Sequence, residues 1–93
     1  MASFDDVKYT SINYTPTDFI EVALTHVVDW DGSEERIYVK RGELDDGRSY
    51  HGNLAIPFDQ QVAEKVAAAI LRIAGVDEFD YQETLSELEF LDG

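Results

Sequence analysis

The stretch between Asp59 and Gly75 restricts the fold more than any other part of the chain. Val62, Ala63, Val66, Ala67, Ala69, Ile70, Ile73 and Ala74 fall within an arc of roughly 160° at about 100° per residue. Glu64, Lys65 and Arg72 lie opposite. Asp59 is a good N-cap, and Gly75 stands where a helix gives way to left-handed backbone. The spacing predicts a helix with one apolar face. Such a face must be covered, and its alanines permit close approach to a sheet.

The residues before this helix read as strands. Residues 7–14 alternate, with Tyr and Ile enrichment, up to the turn Thr15-Pro16-Thr17-Asp18. Residues 19–30 fit a helix through Phe19, Ile20, Ala23, Leu24, Val27 and Val28. They also fit a strand with Ile20, Val22, Leu24, Val28 and Trp30 on one side. The β-branched content, the turn signal Asp31-Gly32-Ser33 and the run Arg36-Ile37-Tyr38-Val39-Lys40 favour a long hairpin. Residues 42–47 read as a polar connection, and 49–58 as a weaker strand interrupted at Gly52 and stopped at Pro57. Residues 1–6 read as a frayed acidic tail.

Beyond Gly75, Asp80-Tyr81-Gln82-Glu83 has capping-box spacing, and Tyr81, Leu85, Leu88 and Leu91 recur at helical intervals. A second, shorter helix is the preferred reading, with a strand over 84–91 as the alternative. The expected fold is α+β: an antiparallel sheet of three to four strands followed by two C-terminal helices packed on one face. A chain of 93 residues has material for one core, so it is read as a single domain. Its 44% apolar content, with five Phe, five Tyr and one Trp, is enough to offset the ordering entropy.

Cysteine is absent, which favours a reducing compartment. The acidic start Met1-Ala2-Ser3-Phe4-Asp5-Asp6 does not read as a signal peptide, and no run approaches the roughly 18 apolar residues of a membrane span. The expected location is the cytoplasm.

Charge is the unusual property. Twenty acidic residues against seven basic ones give a net charge of −13. Self-repulsion of that size opposes compaction. It argues against anionic partners, meaning nucleic acids and membrane surfaces, and for a basic one.

Catalytic chemistry finds little support. Nucleophilic catalysis needs a nucleophile and an oriented base. His26 lies in an apolar run and reads as a partly buried, hydrogen-bonded residue, while His51, beside Gly52 and Asn53, reads as a solvated turn residue. The acidic stretch Asp29-Trp30-Asp31-Gly32-Ser33-Glu34-Glu35 lacks EF-hand order: glycine falls fourth instead of sixth, and Lys40 holds the twelfth position. Gly42, Gly47 and Gly52 are isolated among acids that repel phosphate. Arg36, Lys40 and Arg41 are expected to pair with Glu34, Glu35 or Glu21. No enzymatic activity, cofactor or metal is expected.

The acids therefore carry the functional reading. Asp77, Glu78, Asp80, Glu83, Glu87, Glu89 and Asp92 follow Arg72 with no basic residue among them. On a helix, Asp80, Glu83 and Glu87 form one stripe, with neighbours about 5–6 Å apart, a separation comparable to that of successive phosphates. Phe79 and Phe90 flank it as candidate anchors. Asp29, Asp31, Glu34 and Glu35 at the hairpin tip, and Asp45 and Asp46 in the next connection, complete the candidate partner-binding set. With Asp92 left aside, these twelve residues are expected to meet a basic nucleic-acid-binding protein.

In size, acidity and lack of catalytic apparatus the whole chain resembles the small phage inhibitors of host defence, the anti-CRISPR and anti-restriction proteins. The likeness is one of composition and transfers no individual residue. It implies a non-enzymatic protein that blocks the nucleic-acid groove of a CRISPR effector, restriction enzyme or nuclease by mimicking phosphate charge in the host cytoplasm. Two alternatives stand beside it: an immunity-type protein that neutralises a nuclease, and a salt-adapted protein whose acidity has no client.

Overall fold

A computed structural model describes residues 2–45 and 47–92. Four long strands, β1 (Ser3–Asn13), β2 (Asp18–Asp29), β3 (Gly32–Asp45) and β4 (Gly47–Pro57), precede two helices. These are α1 (Gln60–Ala74) and α2 (Glu78–Glu87), and a two-residue strand, β5 (Leu91–Asp92), follows. The fold is α+β, with five antiparallel strands in the order β4-β3-β2-β1-β5. Consecutive long strands are neighbours, as short connections require.

The hairpin reading of residues 19–30 holds: β2 is a strand paired with β3 from Asp18↔Glu43 to Asp29↔Gly32. Its turn is Trp30–Asp31, one residue earlier than expected, and the Asp31 N–H donates to the Asp29 carboxylate at 2.9 Å. Short polar side chains that bond nearby backbone favour such turns. Thr15 does the same before β2, accepting from the Asp18 N–H at 2.8 Å.

Three expectations are corrected. Residues 3–6 are not a frayed tail but the first part of β1, paired with Val28 through Thr25 of β2. Residues 42–45 are not a connection but the end of β3. The sheet has five strands rather than three or four, because Leu91 leaves the helical pattern to pair with Tyr9. Long-range pairing decided each case, and local polarity gave no sign of it.

Two bulges shape the sheet. One in β1 shifts register between Asp6 and Lys8, and one in β4 lies opposite Arg41 and Gly42. An extra residue in one strand reverses which way its neighbours point and adds twist. Asp6 therefore shares a face with Tyr9, and Tyr50 shares one with Asn53. That face holds the alternate residues Phe19, Glu21, Ala23, Thr25 and Val27 of β2, all buried. The opposite face presents Ile20, Val22, Leu24, Ile37 and Ile56, all half-buried.

Helix α1 starts and stops as its sequence requires. Asp59 accepts from the N–H groups of Gln61 and Val62, at 2.8 and 3.1 Å. Gly75 adopts φ 78°, and the Gly75 and Val76 N–H groups return to Arg72 and Leu71 carbonyls, a Schellman closure. The start of α1 lies over the half-buried face, where Phe58, Ala63 and Phe90 border a cleft of about 310 Å³ with Val22, Leu24 and Ile37. Among the described residues, none of α1 is buried.

Candidate functional site

Placement of the acids divides them into two populations. On the sheet, Asp6, Glu21, Glu34 and Glu43 have a basic partner, while Asp5, Asp18, Asp29, Glu35 and Asp45 form no ion pair among the described residues. Lys40 Nζ lies 3.0 Å from Asp6 and 3.6 Å from Glu21, and Arg48 lies 3.5 Å from Glu21. Arg36 pairs with Glu34, and His51 lies 3.3 Å from Glu43. The expected pairing of Arg36 and Lys40 with Glu34 and Glu21 is present.

The C-terminal acids differ. Asp77, Glu78, Asp80, Glu83, Glu87, Glu89 and Asp92 are all exposed. Among the described residues none of the seven forms an ion pair. Helix α2 brings Asp80, Glu83 and Glu87 onto neighbouring turns of one helix. The cap of α2 is Asp77, whose carboxylate accepts from the Asp80 N–H at 2.9 Å, so Asp80 lies inside the first turn instead of capping it. Glu78 and Asp80 sit favourably at the positive end of the helix dipole. Glu83 and Glu87 sit unfavourably: like charges four apart repel, and acids near a helix C-terminus oppose the dipole. No basic residue occupies the last turn of α2 to relieve them. These two glutamates cost the helix stability.

The remaining candidates do not gather at one place. Asp29, Asp31, Glu34 and Glu35 lie at one end of β3 and Asp45 at the other. Fourteen residues of extended chain put them on the order of 40 Å apart. Glu34 is bound to Arg36, and Asp29 is engaged in its turn. Asp46 lies outside the described residues. Phe90 is exposed, with the Lys8 ammonium 5.9 Å from its ring centroid.

A second arrangement went unread in the sequence. On the bulged face, Asp6 accepts hydrogen bonds from Thr25 Oγ1 at 2.7 Å and Lys40 Nζ at 3.0 Å. Tyr50 donates to Glu21 at 3.3 Å, and Arg48 donates to Ser11 at 2.9 Å. Beside this cluster, Phe4, Tyr9, Tyr38, Asn53 and the Asp6–Lys40 pair line an open hollow of about 810 Å³. Glu21 and Thr25 in an otherwise apolar strand were the available signal, since a buried charge in a central strand needs partners.

The cluster makes the stability pH-sensitive. Burial works to raise the Asp6 pKa, but the Thr25 and Lys40 hydrogen bonds and the Lys40 charge outweigh it and hold the carboxyl below its usual range. Burial likewise works to lower the Lys40 pKa, and Asp6, Glu21 and Tyr50 together hold it above its usual value. Asp6 therefore contributes fully above about pH 4, and that contribution is lost as pH falls through the folded value. Lys40 contributes fully below about pH 10 and loses its share as pH rises through its own folded value. Asp6→Asn is expected to lower the urea midpoint at neutral pH, with the gap to the parent closing toward about pH 3. A gap unchanged between the two pH values would show that the carboxylate contributes nothing through its charge.

No helix among the described residues is long and apolar enough to cross a membrane. Protein-family models, curated proteins and solved structures were each compared with the chain, and none matches it.

Proposed function

We propose that the chain is a non-enzymatic acidic inhibitor that occupies the basic nucleic-acid-binding groove of another protein. The surface from Asp77 to Glu89, carried by α2, stands in for a run of phosphates. The observation that carries this reading is the segregation of charge. Four acids of the sheet, Asp6, Glu21, Glu34 and Glu43, have basic partners, whereas all seven C-terminal carboxylates are exposed and none forms an ion pair among the described residues. Glu83 and Glu87 support it further, because they weaken α2 and so have their use outside the fold. The hairpin-tip acids and Asp45 contribute long-range attraction, which raises the encounter rate without close contact. The compositional likeness to phage inhibitors points to a client in host defence, such as a CRISPR effector, restriction enzyme or nuclease, and so to the host cytoplasm.

Inhibition follows from occlusion. Lys and Arg side chains that receive DNA or guide RNA pair with Asp80, Glu83 and Glu87, and nucleic acid is excluded while they do. Association then responds to salt as nucleic-acid binding does, falling steeply as ionic strength rises.

The test uses the immobilised full chain in host lysate. Nucleic-acid-binding proteins should be retained, and added duplex DNA should displace them. The Asp80→Lys/Glu83→Lys/Glu87→Lys variant, shown by circular dichroism to be folded, should retain at least about 100-fold less, as loss of several charge-assisted contacts implies. Retention indifferent to both DNA and the triple change removes the proposal.

A further inference from the structure

We infer that the apolar face of α1, with Leu54 and Phe58 beside it, is the interface through which two copies of this chain associate about a two-fold axis. The helix has three contact directions. Gln60 and Ala63 border the cleft over the sheet. Ala67, Ala68 and Leu71 line a groove shared with Val76 and Tyr81 at the start of α2. The third direction carries Val62, Val66, Ala69 and Ile73, the four-three-four spacing of a helix–helix seam. Within the chain this seam is open: Ile73 is 89% exposed and neighbouring Ile70 63%, with only Val66 half-buried. Leu54, on the strand that α1 touches, is 60% exposed.

The surface area leaves ample room for a second copy. The chain exposes 7300 Å², whereas a compact monomer of 10.5 kDa exposes about 5,400 Å². The excess of about 1,900 Å² is more than twice the roughly 800 Å² that each partner gives to a standard interface. The radius of gyration, 14.6 Å, likewise exceeds the roughly 12 Å expected for 93 residues. Phe19, Ala23 and Val27 are the buried apolar residues among those described, a core too small for a free-standing domain of this length.

Charge permits a second copy on this face. Two chains of −13 repel wherever their acids face each other. Helix α1, with Glu64 against Lys65 and Arg72, and the adjoining β4, with Arg48 and no acid, reverse the balance. Here a second copy can approach without facing a dense acidic surface. A basic client is drawn instead to the C-terminal acids, which leaves the α1 face free for the copy. An apolar face of this extent would otherwise promote non-specific association, and a closed two-fold pair satisfies it without leaving an unused patch.

The test is made on the full chain without any client. Sedimentation equilibrium should give twice the 10.5 kDa chain mass, with dissociation and a falling melting midpoint on dilution from about 300 to about 1 µM. Because the chain has no cysteine, single replacements report the interface cleanly. At least one of Val66→Cys, Ala69→Cys, Ile70→Cys and Ile73→Cys should oxidise to a disulfide-linked pair. Asp31→Cys and Glu83→Cys should not. A 10.5 kDa particle throughout that range overturns the inference, whether or not another protein later covers α1. So does a pair that crosslinks only through positions 31 or 83. The charge-reversed α2 variant should dimerise normally, so failure of the client reading and failure of this one are separate results.

Discussion

Phe19→Ala is expected to abolish cooperative unfolding. Phe19 is the largest fully buried side chain, with 0% of its surface exposed. Tyr50 meets its ring edge-on at 5.6 Å between centroids, and the Arg48 guanidinium lies 4.0 Å from the ring centroid. Truncating a buried phenylalanine costs about 3–5 kcal/mol, a large part of the roughly 5–14 kcal/mol available to a chain this long. Gly42 makes the same point from the opposite direction. It faces Phe19 across the β2–β3 pair, and a Cβ at Gly42 would collide with the Phe19 ring and the Ser49 carbonyl. Gly42→Ala is expected to cost about 1–3 kcal/mol and Gly42→Val more, since the backbone carbonyl cannot step aside as a side chain can. Urea melts followed by far-ultraviolet circular dichroism measure both. A Gly42→Ala midpoint equal to that of the parent would mean that Phe19 moves freely, and the packing argument would go with it.

Lys40→Met is expected to cost about 3 kcal/mol, the lower end for removing one partner of a buried ion pair because Lys40 and Asp6 retain some solvent. The ammonium serves Asp6 and Glu21 at once, and the Glu21 side chain is only 5% exposed. Without Lys40, the Glu21 carboxylate keeps Arg48 and Tyr50, and Asp6 keeps Thr25. Each is then a poorly compensated charge in a partly desolvated site. Adding Glu21→Leu to Lys40→Met should recover part of the loss, because removing both partners is milder than stranding one. A double-mutant cycle quantifies this coupling. Strictly additive losses would mean that Lys40 and Glu21 stabilise independently, and that the cluster is an incidental meeting of surface charges.

Capping and periodicity made α1 legible. Asp59 bonds its own helix start, and Gly75 takes the left-handed conformation that other residues resist, so both signals act within a few residues. The β2–β3 hairpin was legible too, although residues 19–30 also carry a helical pattern. The β-branched content and the turn resolved that ambiguity. The α2 cap shows the limit of such reading. Asp77 and Asp80 are both acceptable caps in sequence, and the backbone selects Asp77.

Among the candidate site residues, the chain order alone made the grouping from Asp77 to Glu89 visible, because one short helix keeps sequence neighbours together. Whether Asp29 and Asp45 lie together was not visible. Their separation depends on β3 continuing through Gly42 to Asp45, where polarity and glycine read as a connection.

The sequence by itself determined the net charge, the capped amphipathic α1, the strand-rich first half and the acidic C-terminal run, all of which follow from composition or from contacts a few residues apart. Tertiary structure alone decided that Ser3 to Asp6 pair with β2 and that Leu91 joins the sheet. It also decided which acids meet cations. Asp6 and Lys40 stand 34 positions apart, and a bulge of one residue turns Asp6 toward its partner. Pairing across the sheet depends on register, and register is a property of two strands together, which neither strand's own pattern contains.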